Sequence, residues 1–204
     1  MKKYLRRWEC RWTCNRTDGH AESENAEGKR TDKRIWKWIM SEIIKVGIAD
    51  LKTCVSPNGV MTLGLGSCVG IAIRDPMNKI GGLVHIMLPD SKAITTGQHN
   101  IAKFADTGIE ELVRQIERMG ARRVRMVAKI AGGATMFNFQ GSGSGASVAQ
   151  VGNRNVEATK AKLNTLRIPI LAQDTGANYG RTVIFYPETG AFHIRAVGRP
   201  EKII

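Results

Sequence analysis

The chain has 204 residues, of which 42% are hydrophobic and 24% are charged, and its formal net charge is +13. These values are typical of one globular domain with an appendage, and they exclude a wholly disordered chain, a collagen repeat and a coiled coil. No apolar run approaches the ~18–20 residues of a membrane span, so we expect no membrane insertion. Four cysteines do not make a disulfide framework, which favours a reducing, cytoplasmic compartment.

The positive charge is spread along the chain, without a block of five or more like charges. A basic surface is the favoured interpretation. Attraction to an acidic protein surface and nucleic-acid binding are the alternatives that charge alone leaves open. We expect no nucleic-acid partner, because the charge has no concentrated patch.

The first 39 residues differ from the rest. Residues 15–33 are almost wholly polar and cannot supply a buried face, so we expect residues 1–39 to be a disordered extension and residues 40–204 to be a single domain beginning at Met40. One alternative is a docking arm that carries all four tryptophans, which are Trp8, Trp12, Trp36 and Trp38. A zinc site at Cys10, Cys14 and His20 lacks a local fourth ligand.

From residue 43 onward, short β-type runs alternate with two helical patterns. The predicted strands are Ile43–Ala49, Val60–Leu65, Val69–Arg74, Gly82–Met87, Arg123–Ile130, Pro169–Gln173, Arg181–Tyr186 and Ala191–Val197. The predicted helices are Ile101–Met119 and Asn153–Leu166, and Gly141–Gly145 is a predicted flexible loop. Because the order has no strict βαβ alternation, it predicts an α+β layered sandwich with mixed or antiparallel sheets.

Cys68 ends the glycine-rich run GLGSC, which follows a predicted strand. Glycines allow a substrate to approach the main chain closely, and free N–H groups of such a turn could hold an oxyanion. A lone cysteine is more often a small buried hydrophobe. The run lacks the lysine and spacing of a P-loop, so nucleotide binding is a weak alternative.

His85 interrupts the apolar run LVHIMLP, where an unpaired imidazole would be costly. If Cys68 and His85 lie on adjacent strands, the imidazole could lower the thiol pKa and produce a thiolate nucleophile. Thr62 is a candidate to orient the imidazole, with Asp75, Asp90 and Asp106 as competitors. A packed cysteine and a satisfied core histidine remain the alternative. No cluster has the spacing of metal ligands, so we expect no metal.

Several separate motifs, in this order, resemble the CheD family of chemoreceptor glutamine deamidases. They are MTLGLGSCVGIAIRDP (61–76), GGLVHIMLPDS (81–91), FADTGIEELV (104–113), GARR (120–123), AKIAGGATMF (128–137), GNRNVEA (152–158) and DTGANYGRTVIF (174–185). The resemblance covers residues 43–204 and leaves out the first 39.

The resemblance implies a layered fold similar to the cores of bacterial toxin deamidases. It implies hydrolysis of selected glutamine side chains on chemotaxis receptors, with Cys68 as nucleophile, His85 as base and Thr62 as the orienting group. Gly66 and Ser67 are the predicted substrate-binding residues, because the N–H groups of this turn could hold the developing oxyanion, and this chemistry needs no cofactor. The implied partners are cytoplasmic chemoreceptor helices and a CheC-type phosphatase. The alternative function is a non-catalytic binding module that regulates this phosphatase.

A chain shortened to begin at Met40 should fold and keep its activity, because a polar extension cannot contribute to a core. We expect a melting temperature within about 1 °C of the full chain, measured by calorimetry. Limited proteolysis of the full chain should cut first within residues 15–33. A large loss of stability or activity in the shortened chain would favour the docking arm instead.

Overall fold

The computed structural model describes residues 41–93, 100–135 and 150–204. The predicted N-terminal extension, with its tryptophans and candidate zinc ligands, lies outside these ranges, as does the predicted loop Gly141–Gly145. No helix in the described ranges is long and apolar enough to span a bilayer.

Ten strands and two α-helices make up the described part of the chain. The strands are β1 (Ile43–Val46), β2 (Leu51–Val55), β3 (Gly59–Leu65), β4 (Val69–Asp75), β5 (Ile80–Ile86), β6 (Val127–Gly132), β7 (Ile170–Thr175), β8 (Arg181–Phe185), β9 (Phe192–Arg195) and β10 (Lys202–Ile203). The helices are α1 (Ala105–Arg118) and α2 (Val151–Thr165), and short 3-10 helices cover Ser91–Ala93, Ile101–Lys103 and Arg123–Arg125.

The strands form two mixed sheets of five strands each. The outer sheet has the order β1-β3-β8-β9-β10, and only its β1–β3 pair is parallel. The central sheet has the order β2-β5-β4-β6-β7, and only its β6–β7 pair is parallel. The predicted α+β architecture with mixed sheets is confirmed.

The central sheet is covered on both faces. Side chains of β4 alternate, so that Ile71 and Ile73 join the apolar cluster formed with both helices, whereas Ala72 joins the cluster shared with the outer sheet. In β5, Val84 packs on the helix side and Leu83 on the outer-sheet side. Every residue of β5 is consequently buried. The layers therefore run outer sheet, central sheet, helices.

Two predicted elements begin later in the structure than the sequence pattern indicates. The predicted helix Ile101–Met119 is a 3-10 turn over Ile101–Lys103, followed by an extended Phe104 and then α1. The Asn100 side chain accepts a hydrogen bond from Ala102 N (3.0 Å) and so caps the 3-10 turn. The predicted strand Arg123–Ile130 opens with a 3-10 turn and becomes β6 only at Val127.

Other differences concern short strands. The predicted strand Ile43–Ala49 ends at Val46, and Ala49 in the following turn adopts a positive φ of 53°. Strand β2 was not predicted because its buried residues, Leu51 and Cys54, are three positions apart and do not alternate. Strand β10 has two exposed residues and is defined only by its pairing with β9.

A buried carboxylate joins β4 to the loop before β6. Asp75 is fully buried and accepts hydrogen bonds from Arg125 Nε (3.0 Å), Arg122 N (3.0 Å) and Met77 N (3.0 Å). These contacts hold the 3-10 turn of Arg123–Arg125 in place and explain why β6 begins late. The hydrogen bond from the Arg125 guanidinium is the main cause that lowers the Asp75 pKa to about 2.

Replacing Asp75 with Asn keeps the shape and removes the charge, so the free energy of unfolding should fall by about 2–3 kcal/mol near neutral pH. Because the folded-state pKa is below the ordinary value of 3.8, this stabilisation is present above that value and is lost as the pH falls towards 2. Urea unfolding of both chains at neutral and acidic pH measures the difference. A difference that does not shrink in acid would contradict this account.

The control for this experiment is Glu157→Gln, which removes an exposed ion pair with Lys160. It should change the free energy of unfolding by less than about 0.5 kcal/mol at either pH.

Candidate active site

Thr62 and His85 meet in the layer between the two sheets. Because side chains alternate along β5, His85 points to the same side as Leu83, which is the side of the outer sheet. Thr62 lies on β3 of the outer sheet, and its Oγ1 is 2.8 Å from His85 Nδ1. Both residues are fully buried. The structure therefore brings together two of the three predicted catalytic residues by a direct hydrogen bond.

The direction of this hydrogen bond follows from a second one. The Thr62 hydroxyl donates its single proton to the main-chain oxygen of Val46 (2.8 Å). It must then accept from His85, so the imidazole carries its proton on Nδ1. His85 Nε2 is left as the unprotonated nitrogen, and it has no hydrogen-bond partner within the described residues. The imidazole is thus held in the tautomer that can accept a proton at Nε2.

Cys68 lies where the chain crosses from the outer sheet to the central sheet. It is half-buried in the turn between β3 and β4, and it packs against the apolar cluster between the sheets. Gly70 is directly opposite His85 in the ladder of β4 and β5. Cys68 precedes Gly70 by two residues, so its side chain faces the same layer, diagonal to His85. The side chain of Leu65 packs over Gly70, since a Cβ at Gly70 would lie 2.9 Å from Leu65 Cδ1.

The strand before the turn contains an irregularity that the glycines permit. The β3–β8 register shifts between Thr62 and Leu65, and Gly64 in this bulge has a φ of 73°. This left-handed conformation favours glycine. The bulge leaves Leu63 53% exposed while Thr62 on one side and Leu65 on the other stay buried. Pairing with β8 resumes at Leu65, opposite Arg181, and β3 ends there, just before the Cys68 turn.

All three carbonyl groups of the turn Gly66–Cys68 accept hydrogen bonds from N–H donors of neighbouring segments. The donors are Ala134 N to Gly66 O (2.7 Å), Asn155 Nδ2 to Ser67 O (2.9 Å) and Gly133 N to Cys68 O (2.8 Å).

In a trans peptide the N–H points opposite to the carbonyl, so the N–H groups of Ser67 and Cys68 face away from these donors. Ser67 N has no acceptor in the described part of the chain, and the N–H of Cys68 lowers the pKa of its own thiol. Gly66 N, in contrast, donates to Gly64 O (2.9 Å). Of the two predicted substrate-binding residues, Ser67 is therefore the one with an open N–H.

Burial determines the resting charges of the site. Desolvation lowers the pKa of His85 to about 4, so its imidazole is neutral near neutral pH. Burial raises the pKa of the Cys68 thiol, and its own backbone N–H offsets this only in part. The resting pair is therefore a neutral thiol and a neutral imidazole, which differs from the thiolate that the sequence led us to expect. The sequence pattern does not show how completely the layer between the two sheets excludes water.

The competing carboxylates are engaged elsewhere. Asp75 binds Arg125, Asp106 accepts from Ser91, and Asp90 accepts from Lys92 N (2.8 Å). His193 contacts Glu201. Within the described ranges, no group of three or more metal-ligating side chains occurs. His99 and His20 lie outside those ranges.

Sequence reasoning assigned no role to Asn155, although it donates to the turn that carries Cys68. The signal available in the sequence was a polar residue beside the apolar stripe of a helix, which by itself is more often exposed. Its position is explained only by the way α2 packs on the central sheet.

Comparisons with known proteins agree with the motifs. The CheD family model, described as CheD chemotactic sensory transduction, matches residues 87–196. A protein of Lachnoclostridium phytofermentans named probable chemoreceptor glutamine deamidase CheD is 59% identical over 81% of this chain and all of its own length. Chemoreceptor glutamine deamidase CheD of Halalkalibacterium halodurans is 47% identical over the same shares.

A further relative from Syntrophomonas wolfei, also named probable chemoreceptor glutamine deamidase CheD, is 48% identical over 81% of this chain and all of its own length. These names describe an amidohydrolase, which is the enzyme class that the resemblance implied. The order of the motifs, the identity to these relatives and their coverage all indicate the same family over nearly all of the part that follows the first 39 residues. The predicted family is therefore confirmed, and the chain belongs to the CheD family.

Proposed function

We propose that this protein is a cytoplasmic chemoreceptor glutamine deamidase that uses Cys68 as a nucleophile, His85 as its base and Thr62 as the orienting group. The observation that carries the proposal is the buried hydrogen bond from His85 Nδ1 to Thr62, which leaves Nε2 unprotonated and without a hydrogen-bond partner in the described part of the chain. The names of the relatives supply the substrate class.

The first half of the reaction is acylation of the thiol. His85 Nε2 takes the proton of Cys68 as the sulfur attacks the carbonyl carbon of a glutamine side chain, so charge develops only as the bond forms. The oxyanion that results accepts a hydrogen bond from the open N–H of Ser67. Collapse of this intermediate breaks the C–N bond, and His85 returns its proton to the leaving ammonia.

The second half is hydrolysis of the thioester. His85, neutral again, takes a proton from water as the water oxygen attacks the thioester carbon. The C–S bond breaks, the proton returns to Cys68, and the glutamine has become a glutamate. Thr62 keeps Nε2 as the reacting nitrogen throughout, because it occupies Nδ1.

The surroundings of Cys68 are consistent with a protein substrate. A glutamine must reach the half-buried thiol from outside, so a surface-exposed receptor helix is the natural partner. Leu63, on the strand that leads to the turn, offers an exposed apolar contact beside the site. The net charge of +13 would favour encounter with acidic receptor helices. Binding of a CheC-type phosphatase stays a prediction from the family resemblance.

Cys68→Ala should abolish deamidation and leave the fold intact, because the smaller side chain fits a half-buried position. Mass spectrometry of a chemoreceptor cytoplasmic fragment after incubation detects conversion of an amide to an acid. The matched control is Cys54→Ala, since Cys54 is buried and its pKa is raised to about 12. It should keep its activity. Retained activity in Cys68→Ala would contradict the mechanism, whereas absence of deamidation by the unmodified chain would favour the binding-module alternative.

His85→Asn, assayed in the same way, should lower the rate by about 100-fold to 10,000-fold, because every proton transfer of the proposed reaction passes through this side chain. Alkylation of Cys68 in the unmodified chain, followed by peptide mass spectrometry, should continue to accelerate above neutral pH, since burial raises the thiol pKa. In the unmodified chain, Cys68 should react much faster than Cys54 at every pH. Equal reactivity of the two cysteines would count against an accessible nucleophile.

A further inference from the structure

Asn155 is a fully buried polar residue that the mechanism above does not use. It lies in the first half of α2, and its Nδ2 donates to the main-chain oxygens of Ser67 (2.9 Å) and Met87 (2.8 Å). Both partners are carbonyl acceptors, so the amide nitrogen, and not the oxygen, must face them. The Asn155 amide therefore donates one hydrogen bond to each of two separate segments of the chain.

These two segments carry the nucleophile and the base. Ser67 immediately precedes Cys68, and Met87 follows His85 by two residues. The ladder between β4 and β5 ends at the pair of Val69 and Ile86. The next pair would be Cys68 and Met87, but no ladder contact joins them. Asn155 bridges the strands at this point and so continues their connection past the end of the ladder.

The carbonyl that Asn155 binds also fixes an N–H group of the site. Ser67 C=O and Cys68 N–H belong to one planar peptide and point in opposite directions. By holding the carbonyl, Asn155 sets the direction of the Cys68 N–H, which offsets in part the rise of the thiol pKa. Rotation of this peptide would change the environment of the reacting sulfur.

The packing around α2 leaves Asn155 little freedom. A Cβ on Gly152 would lie 2.6 Å from the main-chain oxygens of Gly133 and Ala134, so only glycine lets the start of α2 sit this close to the segment after β6. Gly133 and Ala134 in turn donate to the turn of Cys68. Helix α2 and the segment after β6 thus pack closely together, and both donate hydrogen bonds to the Cys68 turn.

Stability alone does not account for an amide here. Asn155 Oδ1 is buried and has no hydrogen-bond partner within the described residues, an arrangement that opposes folding.

We propose that Asn155 is a positioning residue of the deamidation reaction, which holds the peptide of Cys68 and the end of the His85 strand in the reactive arrangement. The inference rests on the proposed function of Cys68 and His85. Asn155 is buried and does not touch the substrate, so it acts through the geometry of the two reacting side chains.

The test compares Asn155→Ala and Asn155→Asp with the unmodified full-length chain, using a purified chemoreceptor cytoplasmic fragment as substrate. Ala removes both donors, and Asp keeps the shape but places an acceptor against two carbonyl oxygens. We expect kcat to fall by roughly tenfold to a hundredfold in both variants, with KM changed by less than about twofold. The pH at which Cys68 alkylation is half-maximal should rise in Asn155→Ala.

Thr159→Val is the matched control. Thr159 lies one turn further along α2, is equally buried, and its hydroxyl has no partner in the described part of the chain. This variant should keep kcat, KM and the alkylation profile. Thr159→Val therefore measures the effect of replacing a buried polar residue of α2 that does not contact the Cys68 turn.

Two outcomes would overturn the proposal. One is a lowered melting temperature in Asn155→Ala with unchanged kcat and alkylation profile. The other is failure of both Asn155 variants to fold, judged by circular dichroism, since Asn155 would then be a residue of the core. Cys68→Ala, assayed in parallel, separates a failure of the proposed function from a failure of the role proposed for Asn155. Activity in Cys68→Ala contradicts the proposed function, whereas inactive Cys68→Ala beside fully active Asn155→Ala contradicts only the role of Asn155.

Discussion

The hydrogen bond between Thr62 and His85 joins the two sheets inside a layer of apolar side chains, where neither group reaches water. A buried polar group without a partner costs about 1–3 kcal/mol, so the pair is enforced by the folding of the layers around it. Its direction is fixed as well, because Val46 O already accepts the Thr62 proton. The fold thereby determines which nitrogen of His85 is free to react.

The rest of the site follows from the same layered arrangement. Strand β5 is buried on both faces, and this burial keeps His85 uncharged near neutral pH. The chain must cross from the outer sheet to the central sheet between β3 and β4, and Cys68 lies in that crossing. All three carbonyls of the crossing turn accept hydrogen bonds from neighbouring segments, and the Ser67 N–H on the opposite side has no acceptor in the described part of the chain. A dry layer with a half-buried thiol at its margin favours a neutral resting thiol over a thiolate.

Part of this site could be predicted from the sequence. His85 interrupts an apolar run and so required a partner, and the glycines before Cys68 indicated a turn with accessible main chain. The partner of His85 stayed open, because Asp75, Asp90 and Asp106 were equally acceptable until their contacts with Arg125, Lys92 and Ser91 were known. The family motifs, and not the spacing of the residues, selected Thr62.

Other features depend on packing that no local pattern contains. Asn155 is fully buried only because α2 rests on the segment after β6 and on the Cys68 turn. The resting charge of Cys68 depends on how completely the two sheets exclude water, and sequence alone led us to expect a thiolate. Strand β2 has its buried residues three positions apart and acquires its strand geometry from pairing with β5.

Within this site, Thr62 holds His85 as a neutral imidazole with its proton on Nδ1. Nitrogen-15 NMR of the imidazole in the folded, full-length chain tests this most directly, because the two ring nitrogens have different shifts when protonated and unprotonated. We expect a protonated Nδ1 and an unprotonated Nε2 near neutral pH, with a charged ring only as the pH approaches about 4. A proton on Nε2, or an imidazolium near neutral pH, would contradict it.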